Sequence, residues 1–143
     1  MLVQTILNVK GTDVVSMMPS ETVAAAAAIL TRHRIGAVLV RDEIGALVGI
    51  LSERDIVRGI AQEGAGVLSR PVTALATREV ISCDPEDDMD HVMGLMTRRR
   101  FRHLPVMRDG RLVGLVSIGD VVKHRLAEVE GETQALRQYI AAG

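Results

Sequence analysis

The chain has 143 residues, of which 48% are apolar, enough for the core of one domain or of two very small ones. Its formal net charge of −1 argues against a nucleic-acid partner and against an anionic membrane surface, since both favour a basic excess. The single cysteine, Cys83, excludes an intramolecular disulfide and lies in an apolar run, where we expect a buried thiol. Because no signal peptide or membrane span is apparent, we expect a soluble, cytoplasmic protein.

One sequence unit occurs twice. Gly45–Arg58 returns as Gly110–Lys123 at an offset of 65 residues, and Val14–Ser16 returns as Val80–Ser82 at an offset of 66. The change of offset indicates that one residue was gained or lost in the turn before Gly45 and Gly110, where a fold tolerates such changes.

Each unit predicts strand, helix, strand, strand, helix. We expect short first strands at Val14–Met17 and Val80–Cys83, each followed by an amphipathic helix. Pro19 and Pro85 suit the first turn of these helices, and Asp84 is placed to cap the second one. Hairpins and a final helix follow, with predicted strands at Ala37–Val40, Ala46–Leu51, Leu104–Met107 and Arg111–Val116, and final helices from Ser52 and Ser117.

This pattern divides the chain into four parts. Residues 1–62 form a first repeat with a lead-in helix, 63–71 a linker, 72–126 a second repeat and 127–143 a C-terminal helix. Four apolar residues share one side of that helix, which we expect to pack on the body or on a partner: Leu126, Val129, Leu136 and Ile140.

A Gly-x-x-Ser-x-x-Asp motif opens both final helices. Its members are Gly49, Ser52 and Asp55, and again Gly114, Ser117 and Asp120. The serine and the aspartate have the form of a capping box. The same geometry also offers helix N–H groups and a hydroxyl to phosphate, and a carboxylate to the two hydroxyls of a ribose. The two interpretations are compatible, and the duplication favours a ligand site.

The sequence resembles the tandem cystathionine-β-synthase-type (CBS) proteins, also called Bateman modules. The resemblance is carried by Gly-Ile-Leu-Ser-Glu-Arg-Asp (residues 49–55), Gly-Leu-Val-Ser-Ile-Gly-Asp (114–120), Ile35–Val40 and Phe101–Val106. Arg-His-Leu-Pro-Val at 102–106 is typical of the small stand-alone bacterial members.

The resemblance implies an α/β (α+β) fold of two β-α-β-β-α repeats packed by pseudo-twofold symmetry, with two chains paired into a four-motif disk. It also implies a homodimeric regulatory sensor, not an enzyme, that binds AMP, ADP or ATP and acts in trans on an unknown regulated protein. The alternatives are S-adenosylmethionine or an NAD-type ligand, or a dimerisation module that needs no ligand.

Family roles carry over to named positions. Ser52 with Asp55, and Ser117 with Asp120, are expected to contact phosphate and ribose. Adenine would lie against strand residues of one of two clefts. The first cleft comprises Val14, Val15, Ile35, Gly36, Ala37 and Val38, and the second Val80, Ile81, Arg102, His103 and Leu104. Arg102 is placed to bind phosphate, and Arg54 could serve either cleft. Which cleft is occupied stays open.

Other chemistry has no warrant in the sequence. The four histidines lack metal-ligand spacing, and neither a phosphate-binding loop nor a nucleophile–base set occurs, so we expect no metal, catalytic residue or catalytic cofactor. Arg98–Arg100 end a helix, where cations are usually solvated, although one of them could reach a phosphate.

Overall fold

The computed structural model describes residues 1–142. Its helices are α1 (Val3–Lys10), α2 (Val23–His33), α3 (Glu53–Glu63), α4 (Met89–Arg99) and α5 (Ile118–Ala142). Its strands are β1 (Ser16–Met17), β2 (Ala37–Arg41), β3 (Leu47–Ser52), β4 (His103–Arg108) and β5 (Arg111–Ser117). Two short 3-10 helices, Ala65–Ser69 and Val72–Ala74, join the halves. The predicted mixed α/β fold of two repeats is confirmed.

Each repeat is built on an antiparallel hairpin. In the first, β2 pairs with β3, and β1 adds to β2 in parallel. In the second, β4 pairs with β5, and a single parallel bridge from Cys83 to Val106 takes the place of the first strand. The predicted first strands are therefore too long. At the second one, the Val80 N–H bonds to the Arg78 carbonyl in a local turn and does not join a ladder.

The two hairpin turns account for the shift in offset. Asp109 and Gly110 form a tight turn in which both residues have positive φ, 51° and 75°. The first turn is longer, and the Asp42 carboxylate holds it by accepting hydrogen bonds from the N–H groups of Ile44 and Ala46. The predicted change of length in this turn is confirmed.

The prediction for the start of the first helix of each repeat, between its first strand and its hairpin, was wrong. Helix α2 begins at Val23 with Thr22 as its cap, and α4 begins at Met89 with Asp88 as its cap. Pro19 and Pro85 lie in the turns before these caps. The Asp84 carboxylate accepts from the Glu86 N–H at 2.8 Å, so it closes that turn and does not cap the helix.

Each repeat has its own core, and the segment before each repeat packs on the other one. Val3 and Ile6 of α1 are buried in the core of the second repeat, and Val72 is buried in that of the first. Leu7 fills the space over Gly114 of β5, where an added Cβ would lie 2.7 Å from its Cδ2 atom. This exchange of lead-in segments ties the halves together.

Helix α5 is one continuous helix. It runs through residues 126 and 127, where the sequence suggested a new element, because nothing in Leu126-Ala127-Glu128 breaks a helix. Val121 faces the core, whereas residues 129–142 are exposed. Residue 143 of the predicted C-terminal helix lies outside the described residues. Within residues 1–142 no helix is both long and apolar enough to cross a membrane.

Candidate functional site

A cleft of about 500 Å³ lies between the two repeats. The first repeat contributes the start of α3 and part of β3, and the second contributes its entry segment, the end of α4 and the start of β4. The lining residues are Gly36, Ile50, Ser52, Glu53, Arg54, Asp55, Arg58, Thr77, Glu79, Val80, Ile81, Arg99, Arg100, Phe101, Arg102, His103 and Pro105. The volume suits a nucleotide-sized ligand.

The motif at the start of α3 forms a complete capping box. The Asp55 N–H donates to the Ser52 Oγ atom at 3.2 Å, and the Ser52 N–H donates to the Asp55 Oδ2 atom at 2.9 Å. The Glu53 N–H donates to the Gly36 carbonyl at 2.9 Å. Since two early N–H groups of α3 already have partners, a phosphate here would depend on side-chain cations more than on the helix N-terminus.

Arginines supply those cations. Five line the cleft against three carboxylates, so its local charge is positive in a chain whose net charge is −1. They are Arg54, Arg58, Arg99, Arg100 and Arg102. Arg58 lies 3.7 Å from the Asp55 Oδ1 atom, so the two side chains form a loose ion pair along α3. A positive, partly enclosed cleft favours an anionic ligand.

His103 of the second repeat lines the cleft and lies against Gly36 of the first repeat. Its imidazole lies over Gly36, because a Cβ on Gly36 would be 3.0 Å from the His103 Cε1 atom. Burial, and then the nearby Lys10 ammonium, lower the pKa of His103 below its ordinary 6.5. The neutral ring can exchange hydrogen bonds with a ligand but adds no charge at pH 7.

The second motif has the same capping box and a different neighbour. The Ser117 N–H donates to the Asp120 Oδ2 atom at 2.9 Å, and the Asp120 N–H to the Ser117 Oγ atom at 3.1 Å. Lys10 of α1 also reaches this carboxylate at 2.7 Å and donates to the Leu115 carbonyl at 2.8 Å. Burial alone would raise the pKa of Asp120, but the hydrogen bonds from Lys10 and Ser117 outweigh it and hold the pKa below its ordinary value.

The structure brings half of the predicted site residues together. The cleft contains Gly36, Ser52, Arg54, Asp55, Val80, Ile81, Arg102 and His103. It therefore combines the first motif with strand residues of the second repeat, and Arg54 lines this mixed cleft. The assignment of these residues to a bound ligand stays a prediction.

The other eight predicted residues lie elsewhere. The side chains of Ala37, Val38 and Leu104 are buried in the repeat cores, so they do not reach the cleft. Val15 and Ile35 pack against the core of the first repeat. Val14, which precedes Val15, is partly buried. Ser117 and Asp120 lie outside the cleft, with Asp120 bound to Lys10.

Several residues of the cleft were not among the predicted ones. Arg99 and Arg100 belong to the helix-end arginines of which the sequence allows one to reach a phosphate, and Phe101 is named there only as the start of a segment that carries the family resemblance. Arg58 follows Asp55 by three residues, which places both on one face of α3, so helical spacing would have found it. Nothing in the sequence pointed to Thr77 or Glu79. Within residues 1–142 no cluster of His, Cys, Asp and Glu side chains could hold a metal ion.

The two repeats and their paired motifs define a class of ligand-binding regulatory fold. The family model of the CBS domain matches residues 8–62 and 72–127, and the chain belongs to this family. A mitochondrial CBS domain-containing protein of Arabidopsis thaliana, CBSX3, is 40% identical over 127 residues, which cover 86% of this chain and 62% of that protein. The chain therefore spans less than two thirds of that relative's length.

Solved structures share the fold. A CBS-domain containing protein of Agrobacterium tumefaciens is 44% identical, with a TM-score of 0.86, and the match covers 87% of this chain and 99% of that one. The CBS domain pair of protein MJ0100, solved with 5′-methylthioadenosine and S-adenosylmethionine, is 29% identical, with a TM-score of 0.79 and coverage of 90% and 98%. A CBS domain protein of Pyrobaculum aerophilum, complexed with AMP, is 28% identical, with a TM-score of 0.74 and coverage of 84% and 89%.

Proposed function

We propose that this chain is a regulatory sensor without catalytic activity that binds an adenine nucleotide in the cleft between its repeats. The carrying observation is the meeting of Ser52 and Asp55 with five arginines in one cleft. The solved relatives with AMP, S-adenosylmethionine and methylthioadenosine support an adenine-containing ligand.

The charge of the cleft selects among these ligands. AMP, ADP and ATP carry phosphates that arginines bind through charge-assisted hydrogen bonds. S-adenosylmethionine carries two cations, a sulfonium and an ammonium, against one carboxylate, so its net positive charge is disfavoured by a surplus of arginines. Methylthioadenosine offers these arginines no anion. We therefore place the phosphorylated nucleotides first, and an NAD-type ligand remains the alternative with phosphate.

Within the cleft the roles follow from position. The Asp55 carboxylate, 17% exposed, can accept from the hydroxyls of a ribose through its Oδ1 atom, since Oδ2 holds the capping box. Val80, Ile81 and Pro105 offer apolar surface for the adenine. Arg99, Arg100 and Arg102 stand where phosphate would lie. Because the Lys10 ammonium already binds the Asp120 carboxylate, that carboxylate is not free for a ribose, and we propose one nucleotide per chain.

The chain is further proposed to act as a homodimer in the cytoplasm and to pass its ligand state to another protein. The support for a second copy is the exposed apolar surface of α5, where Leu126, Leu136 and Ile140 are each more than half exposed. A dimerisation module that needs no ligand is the second candidate, and the same surface favours it.

Titration calorimetry with five ligands tests the proposal. AMP, ADP and ATP should bind, and S-adenosylmethionine and methylthioadenosine should bind more weakly. Arg99→Ala should weaken AMP binding by about tenfold, the value of one charge-assisted hydrogen bond. The matched control is Arg98→Ala, since Arg98 lies over Gly94 on the same helix and away from the cleft. Absence of heat and of thermal stabilisation with all five ligands at millimolar concentration would leave the dimerisation module as the better account.

A further inference from the structure

An apolar stripe runs along the outer side of α5. Its positions are 122, 126, 129, 133, 136 and 140, so they alternate steps of four and three residues. This is the spacing of the two apolar positions in each heptad of a coiled coil. All are apolar except Thr133: the others are Val122, Leu126, Val129, Leu136 and Ile140.

The stripe is not used by the chain's own core. Val121, on another side of the same helix, is fully buried, whereas Val122 is 45% exposed and Ile140 is 67% exposed. At its beginning, Ile118, Val122 and Leu126 line a shallow groove. Over residues 122–140 the stripe is about 27 Å long, at about 1.5 Å per residue. An apolar row of this length with a regular heptad spacing fits a second helix.

The charged residues that flank the stripe indicate which helix binds there and in which direction it runs. In a parallel coiled coil, the residue just before position 126 or 133 of one helix lies beside the residue five places further along the partner helix. These pairs are Glu132 with Arg137 and Arg125 with Glu130, so each joins opposite charges. Glu132 with Arg137 is the pair that carries the argument, because Arg125 already lies 3.1 Å from Glu128 of its own helix. An antiparallel pair centred on residue 131 would instead place Glu132 opposite Glu132. Charge complementarity therefore selects a second copy of this chain in parallel orientation.

We propose that two chains associate through the α5 stripe as a parallel two-stranded coiled coil. This rests on the homodimer in the proposed function and adds its surface and orientation. The twofold axis then runs along α5 and holds the two bodies side by side at the same end of the coil. The nucleotide cleft is not needed for this assembly. Calorimetry therefore tests nucleotide binding, light scattering tests association through α5, and either proposal can be disproved without the other.

The molecular mass in solution tests whether the chains associate through the α5 stripe. Light scattering coupled to gel filtration should give a dimer for the parent chain. Leu136→Glu and Ile140→Glu should each raise the dimer dissociation constant by about tenfold or more, because they place like charges in the seam. Gln138→Glu is the matched control, an equal change on the far side of the same exposed helix. A monomeric parent chain, or a dimer unaffected by both variants, overturns the proposal.

Two further variants test the orientation. Leu136→Cys should form a disulfide across a parallel dimer under mild oxidation, and Gln138→Cys should not. Cys83 is 5% exposed and cannot compete. The charge reversal Glu132→Arg should weaken the dimer, and adding Arg137→Glu should restore it. Arg125 is left unchanged because it already pairs with Glu128 at 3.1 Å. A dimer that neither cross-links through residue 136 nor recovers in the double variant is not parallel.

Discussion

The Lys10 ammonium lies 2.7 Å from the Asp120 Oδ2 atom. A cation from the first helix thus occupies the carboxylate of the second motif, while the equivalent carboxylate of Asp55 faces an open cleft. The two motifs have nearly the same capping geometry, so the difference between the repeats comes from their surroundings.

Replacing Lys10 by methionine tests this contact. The pair is partly exposed, and the Leu115 carbonyl also loses its donor, so we expect a loss of about 1 kcal/mol at pH 7. Because the pKa of Asp120 in the folded chain lies below its ordinary 3.8, its stabilisation is present at neutral pH. The difference between parent and variant should shrink as the pH falls below that value. Urea unfolding at several pH values measures it, and an equal difference at pH 7 and in strong acid would contradict the contact.

His103 predicts a second pH dependence. Its pKa in the folded chain is lowered by burial and then by Lys10, so below pH 6.5 the unfolded chain binds more protons than the folded one. Stability should therefore fall as the pH drops below 6.5, and part of this fall should disappear in His103→Gln. Urea unfolding between pH 5 and pH 7 measures both slopes. If the variant loses as much stability as the parent, the imidazole is not held neutral in the cleft.

Two matched glycines should respond differently to alanine. A Cβ on Gly49 would lie 2.8 Å from the Thr77 carbonyl oxygen, which is backbone and is fixed by its pairing with Ile50. A Cβ on Gly114 would meet only the end of the Leu7 side chain at 2.7 Å, and that side chain can turn. Gly49→Ala should therefore cost about 2 kcal/mol or more and Gly114→Ala about 1 kcal/mol. Thermal unfolding of both variants compares them, and the reverse order would contradict the packing described.

The same repeats show what the sequence could predict. The hairpins and the helix starts at Ser52 and Ser117 were predictable because alternating apolar residues and a capping motif are local signals. The cap of α4 was missed because Asp84, Asp87 and Asp88 all stand near its start, and only the fold selects Asp88.

The composition of the cleft was harder to foresee. It depends on which motif faces which strands, and that is set by how the two repeats pack on each other. The spacing of residues within one repeat does not show which motif faces which strands. The contact of Lys10 with Asp120 joins residues 110 positions apart, so it could not be found without the three-dimensional arrangement.

The central claim is that one nucleotide binds per chain, at the first motif. Asp55→Ala and Asp120→Ala each remove the carboxylate of a capping box, which should cost about 1 kcal/mol of stability. Asp120→Ala also loses the ion pair with Lys10 and should be the less stable variant, so the claim is tested by ligand binding and not by stability. Calorimetry with AMP should give one site in the parent chain, a loss of about tenfold or more in Asp55→Ala, and parent-like binding in Asp120→Ala. Parent-like binding in Asp55→Ala with loss in Asp120→Ala, or two equal sites in the parent chain, would contradict the account.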